Sequence, residues 1–161
     1  KGLPIDLHKW PVDKFIAIGR LLAEKPGYSI VLTGVESELP VIREVERGIG
    51  GGVVNLAGRT DLRRFAALVA EVDALICPDT GAGHVAAALG VPVVSIFPLK
   101  GDRPDRWRPY GVDHRVIRAD TSTCHRDCVK EKCPRFECLL HIDEREVVSA
   151  VEELTAAPHR A

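Results

Sequence analysis

Residues 74–90 read Ala74-Leu75-Ile76-Cys77-Pro78-Asp79-Thr80-Gly81-Ala82-Gly83-His84-Val85-Ala86-Ala87-Ala88-Leu89-Gly90. An apolar run that meets small polar residues and passes at once into an alanine-rich run is a strand, a short loop and a helix start. Such a start leaves backbone N–H groups and the positive end of the helix dipole at a sheet edge, which suits a phosphate. The chain is therefore expected to bind something phosphorylated.

The same alternation continues on both sides. Tyr28 to Thr33, Val53 to Leu56, Ala74 to Cys77 and Val91 to Phe97 read as strands. Between them, Pro11 to Glu24 carries Phe15, Ile18, Leu21 and Leu22 on one helical face, Pro40 opens Pro40 to Arg47, and Asp61 to Glu71 repeats the spacing with Leu62, Phe65, Ala66 and Val69. Strands that alternate with helices need crossover connections, so the expected fold is α/β: a Rossmann-like parallel sheet with helices on both faces. Ligands of such sheets bind beyond the carboxyl ends of the strands, where the Thr33-Gly34, Asp79-Thr80 and Phe97-Pro98 junctions lie. Three loops are expected to converge there.

After Pro98 the texture changes to an irregular excursion, with prolines at 98, 104 and 109 and six basic residues between Lys100 and Arg118. A short strand at Arg115 to Arg118 follows, then a cysteine-rich loop within 121–140. A final helix is expected from Asp143, with Glu146 completing a capping box and Val147, Val148, Val151 and Leu154 turned inward.

Bulk properties agree with one domain spanning 1–161. The 161 residues are 45% hydrophobic and 28% charged, with a formal net charge of −1 that gives no general attraction for nucleic acid or anionic membranes. No stretch reaches the roughly 18 apolar residues of a spanning helix, and Lys1-Gly2-Leu3-Pro4 leads into no signal-peptide core. The chain has no methionine and begins at Lys1, as expected of a piece of a longer protein.

Within the opening loop, Gly81 and Gly83 allow close backbone approach or positive φ, and Thr80 and His84 add side-chain donors. Asp79 would repel a phosphate, but it can accept from sugar hydroxyls or orient a cation or a histidine. A sugar phosphate accounts for both halves of the loop; so does simple helix capping by Asp79 and Thr80 above a tight turn. The loop matches neither the dinucleotide fingerprint nor the Gly-Lys-Ser/Thr phosphate loop.

Trp10-Pro11, Leu56-Ala57-Gly58-Arg59-Thr60-Asp61-Leu62, Asp79-Thr80-Gly81-x-x-His84, Ala86-Ala87-Ala88-Leu89-Gly90-Val91-Pro92-Val93-Val94 and Trp107-x-Pro109-Tyr110-Gly111 occur in order. Together they resemble the heptosyltransferases of glycosyltransferase family 9, over nearly the whole chain. The resemblance is to the carboxyl-terminal, donor-binding domain of a GT-B enzyme that transfers heptose from ADP-heptose to the lipopolysaccharide inner core. It implies that the amino-terminal acceptor domain, with the catalytic base, is absent from this chain, which then holds no catalytic residue and turns over nothing alone.

By that resemblance Asp79 contacts the donor sugar, while Thr80, Gly81, Gly83 and His84 cradle the diphosphate. Glu38 binds the ribose, its competing reading being a helix-cap acid, and Thr60 and Leu62 border the adenine, Leu62 being otherwise a core residue. Relatives carry a lysine two residues before the Trp-Pro pair; here His8 stands there, with Lys9 beside Trp10. Either reaches the phosphate, and a grip by His8 would weaken above about pH 6.5. The family's Phe-Gly-Pro-Thr is replaced by Phe97-Pro98-Leu99-Lys100-Gly101, which leaves a phosphate contact there unsupported.

Cys124, Cys128, Cys133 and Cys138 lie close to His125 and His141. Their spacing is weak for zinc and leaves reduced thiols, two disulfides or a metal open. Cys77 reads as a small buried residue. No cofactor is called for. The expected partners are a nucleotide sugar and, through the absent domain, a lipopolysaccharide core acceptor, with a cytoplasmic location peripheral to the inner membrane for the full-length protein. The competing reading is a stand-alone nucleotide-binding or protein-interaction module without transferase activity.

Overall fold

The computed structural model describes residues 10–97, 101–120 and 137–156. The elements run α1 (Val12–Ala23), β1 (Ile30–Leu32), α2 (Leu39–Ile49), β2 (Val53–Asn55), α3 (Leu62–Val69), β3 (Leu75–Pro78), α4 (Gly81–Ala88), β4 (Val93–Phe97), α5 (Pro104–Trp107), β5 (His114–Arg118) and α6 (Glu144–Thr155). The alternation expected from the sequence is present, and every strand pair is parallel. The ladder falls into two blocks, β1-β2 and β3-β4-β5.

Strand β4 explains the layering. All five of its residues are buried, as expected for a central strand covered on both faces. Side chains alternate across it: Val94 and Ile96 join Ile76, Ile117 and the inward faces of α1 and α6, while Val93 joins Cys77, Val69 of α3 and Ala86 of α4. Ile30 of β1 packs against the first of these clusters, so the two ladder blocks share one core. Each fully buried aliphatic side chain contributes about 1.5–3 kcal/mol relative to exposure, and the continuous run of them on β4 fixes its central position.

Helix boundaries follow local chemistry. Pro11 stands at the N-cap of α1 and Pro40 in the first turn of α2, where a missing N–H is harmless. Asp61 caps α3 by accepting from Arg64 N–H at 2.8 Å. Asp143 caps α6 by accepting from Arg145 N–H at 2.9 Å, one residue earlier than a capping box predicts. Val147, Val148, Val151 and Leu154 are buried as expected. Helices α1 and α2 cross closely, with Gly19 facing Ile49 and Gly48 facing Ile16.

The excursion after β4 contains the short helix α5, opened by Pro104 at its first turn. Its neighbour Pro109 is buried, whereas Trp107 and Tyr110 are exposed.

Candidate functional site

Strand β3 ends at Pro78, and the Asp79 N–H donates to the Ile96 carbonyl at 3.1 Å, which ties the start of the loop to the carboxyl end of β4. Thr80 then takes extended backbone angles at the N-cap of α4. Its hydroxyl makes no capping bond, so helix capping by this side chain does not account for the residue. Among the described residues no acceptor faces the N–H groups of Gly81 and Ala82. They stand at a positive helix end, Gly81 exposed and Ala82 half-buried.

The two glycines of the loop serve different purposes. Neither has a positive φ. A Cβ on Gly81 would meet nothing within 4 Å, so this position leaves room for a ligand. Gly83 is buried, and a Cβ there would sit 3.2 Å from Cys77 Sγ and 3.9 Å from Pro109 Cγ. Its N–H donates to the Thr80 carbonyl at 3.2 Å. Gly83 thus lets α4 settle onto the sheet, and the N–H groups left without a backbone acceptor among the described residues are those of Gly81 and Ala82, with His84 exposed on the same turn.

Burial pushes the Cys77 thiol up to about 12, with the nearby Asp79 carboxylate adding to the rise and hydrogen bonds from Thr80 and Gly83 opposing it. At neutral pH the group stays a neutral thiol. The expectation of a small buried residue holds.

At the neighbouring strand ends, Gly58 N–H donates to the Gly34 carbonyl at 2.9 Å, and Gly58 packs against Glu36. This joins the loops after β1 and β2. Glu38 closes a 3-10 turn: its Oε2 accepts from the Val35 N–H at 3.1 Å, and its own N–H donates to the Val35 carbonyl at 2.9 Å. The capping reading of Glu38 is therefore realised. Thr60 is half-buried just before the α3 cap. Leu62 was expected on the inward face of its helix or bordering a base; it is 73% exposed, which removes the core reading. Val35, on the joined loop, is 62% exposed. Two large apolar side chains, Val35 beside the joined loops and Leu62 at the first position of α3, are thus left uncovered.

Trp10 is fully buried and meets Phe15 edge-on, with ring centroids 5.3 Å apart, which anchors the entry into α1. His8 and Lys9 lie outside the described residues, as do Pro98, Leu99 and Lys100 and the cysteines Cys124, Cys128 and Cys133. Cys138 is half-buried. Among the described residues no group of three or more His, Cys, Asp or Glu is placed to hold a metal.

Parallel strands alternating with helices define a doubly wound α/β fold, the class in which ligands sit beyond the carboxyl ends of the strands. The finer identification follows from comparison: residues 6–137 match the model of glycosyltransferase family 9 (heptosyltransferase), and the chain belongs to that family. It is similar to lipopolysaccharide heptosyltransferase 3 of Escherichia coli, with 35% identity over 151 residues covering 90% of this chain and 42% of that protein. The structure of E. coli ADP-heptose lps heptosyltransferase II superimposes with a TM-score of 0.75 and 26% identity, over 93% of this chain and 43% of that one. E. coli heptosyltransferase WaaC with ADP has the same fold, with a TM-score of 0.72 and 24% identity, over 95% of this chain and 42% of that one. The chain spans 27–42% of the length of the curated relatives it matches first. No helix among the described residues is long and apolar enough to cross a membrane.

Proposed function

We propose that this chain is the donor-binding, carboxyl-terminal domain of a heptosyltransferase that transfers heptose from ADP-heptose to the lipopolysaccharide inner core. The observation that carries the proposal is the start of α4, where Gly81 and Ala82 N–H groups, the exposed Thr80 and the half-buried Asp79 stand together at the end of β3. The WaaC structure with ADP, on the same fold, supports the choice of nucleotide.

In this reading the diphosphate sits on the Gly81 and Ala82 amides with Thr80 and His84 as side-chain donors, and Lys9 or His8 adds positive charge. Asp79 accepts from sugar hydroxyls, which removes the conflict between a carboxylate and the neighbouring phosphate. Glu38 accepts from the ribose, while Leu62, Val35 and Thr60 border the adenine. As the bond from the anomeric carbon to the diphosphate lengthens, negative charge grows on the departing ADP, and fixed amide donors with the helix dipole stabilise it without reorganising. The base that takes the acceptor proton comes from another domain. This chain alone therefore binds donor and transfers nothing, and the intact enzyme works in the cytoplasm, peripheral to the inner membrane, on a lipopolysaccharide core acceptor.

Calorimetry with ADP, UDP and GDP tests the reading: heat should appear with ADP and be much weaker with the other two. Equal heats from all three, or none from ADP, would remove the proposed donor.

A further inference from the structure

Indole and phenol rings are scarce in this chain, with two tryptophans and two tyrosines among 161 residues. One of each serves the core: Trp10 is buried, and Tyr28 is half-buried with its hydroxyl on Thr155. The other two stand three residues apart in the excursion after β4 and face solvent, Trp107 at 57% and Tyr110 at 88% exposure. Their exposure does not come from a loose segment. In α5 the Trp107 N–H donates to the Arg103 carbonyl and the Arg108 N–H to the Pro104 carbonyl, both at 3.0 Å. Pro109, between the two rings, is fully buried, and its Cγ lies 3.9 Å from the Cβ position of Gly83 in α4. The Trp107 indole N–H and the Tyr110 hydroxyl have no hydrogen-bond partner among the described residues.

Charge is sorted on the same turn. Arg103 grips Asp105 through two bonds, at 2.9 and 2.7 Å, so the one carboxylate between residues 103 and 111 is neutralised by its neighbour. Arg106 and Arg108 are exposed and pair with no carboxylate among the described residues. Helix α4, on which Pro109 rests, has no Asp or Glu to offset them. Rings with an apolar body and a polar tip settle at the headgroup level of a bilayer, and neighbouring arginines attract anionic lipid. A specific protein partner needs about 1,200–2,000 Å² of matched surface, and a tyrosine as exposed as Tyr110 projects from the turn and lines no groove.

We propose that the turn from Arg103 to Tyr110 is a membrane-docking surface, which seats Trp107 and Tyr110 among the headgroups of an anionic bilayer and sets Arg106 and Arg108 against lipid phosphates. The proposal rests on the peripheral location given in the functional reading above and goes beyond it by naming the surface. A formal net charge of −1 supplies no general attraction, so binding depends on this local patch. Because Pro109 holds the patch against the first turn of α4, docking brings the proposed diphosphate site to a lipid-borne acceptor.

Cosedimentation of the full chain with vesicles of phosphatidylcholine, alone or mixed with phosphatidylglycerol, tests the surface. Mixed vesicles should carry the protein down and release it as salt rises, and phosphatidylcholine alone should bind much less. Tryptophan emission adds position: with Trp10 buried, a blue shift on adding mixed vesicles reports Trp107 leaving water. Arg106→Gln with Arg108→Gln should lower the low-salt affinity about 30-fold, at roughly 5-fold per arginine. Trp107→Ala with Tyr110→Ser should lower it at least about 10-fold without lowering the melting temperature, since neither ring supports the core. No binding to mixed vesicles, binding without the blue shift, or binding that either pair of substitutions leaves unchanged overturns the proposal. Self-association of the chain without lipid, lost in the Trp107/Tyr110 variant, would make the patch a protein contact and overturn it as well. ADP titrations run in parallel keep the two readings apart: vesicle binding without ADP binding removes the donor site and retains the docking surface, and the reverse result removes only the surface.

Discussion

Replacing Gly83 by alanine sets two effects against each other, and the structure decides between them. Alanine inside a helix is favoured over glycine by about 1 kcal/mol. Against this, the new Cβ would lie 3.2 Å from Cys77 Sγ, closer than ordinary van der Waals contact, with Val93 Cγ1 at 3.8 Å and Pro109 Cγ at 3.9 Å behind it. Cys77 belongs to a strand paired with β4, so relief requires α4 to lift from the sheet. Overpacking of this kind costs about 1–3 kcal/mol, and the net expectation is a loss of about 1 kcal/mol. Gly81 is the internal control. It lies in the same helix with nothing within 4 Å of its Cβ position, so Gly81→Ala should leave stability unchanged or slightly raised while a methyl group in the anion space weakens ADP. Denaturant unfolding at constant m-value separates the two variants. A Gly83→Ala protein as stable as wild type, or more so, would refute the account of α4 seated on Cys77.

Other consequences follow from the same contacts. Lys14 donates to the Ile142 carbonyl at 3.1 Å and pairs with Glu144 at 2.8 Å, so it ties α1 to the start of α6. Lys14→Met should cost about 1–2 kcal/mol by leaving both acceptors short of a donor, and an unchanged unfolding midpoint would show the pair to be idle. Cys77 titrates at about 12 when folded against an ordinary 9.0, so the folded state holds its proton longer than the unfolded chain does. The stability this represents is complete below pH 9 and is lost as pH rises toward 12. Subtracting the pH-stability curve of Cys77→Ser should isolate that decline, and two parallel curves would contradict the burial of the thiol. Asp79→Ala should weaken ADP-heptose far more than ADP in paired titrations; equal losses would take the sugar contact away from Asp79.

Much of the fold was legible because burial imposes period two on strands and 3.6 on helices. Periodicity located α1, α4 and α6 and the central strand β4, but overran strand ends. Tyr28 was read into β1, yet the ladder begins at Ile30, and the Tyr28 hydroxyl instead meets Thr155 Oγ1 at 3.0 Å. Leu62 shows the limit of spacing arguments: it shares the helical spacing of Phe65 and Val69, yet at the first position of α3 it is exposed. Helix α5 escaped notice although Pro104 marks its first turn, because a single turn has no period to detect. In the site, the helix-start donors of the Asp79 to His84 loop were readable from the strand, small-residue loop and helix order. The contacts of Gly83 with Cys77 and Pro109 were not, since they join residues on separate elements.

The central claim is that the nucleotide binds at the start of α4. An ADP titration followed by amide-resolved NMR of the protein reads that location residue by residue. Shifts should concentrate at Gly81 and Ala82, with companions at Glu38, Thr60 and Leu62. Shifts confined to the depression lined by Arg20, Leu21 and Arg145 between α1 and α6, or spread without focus, would contradict it.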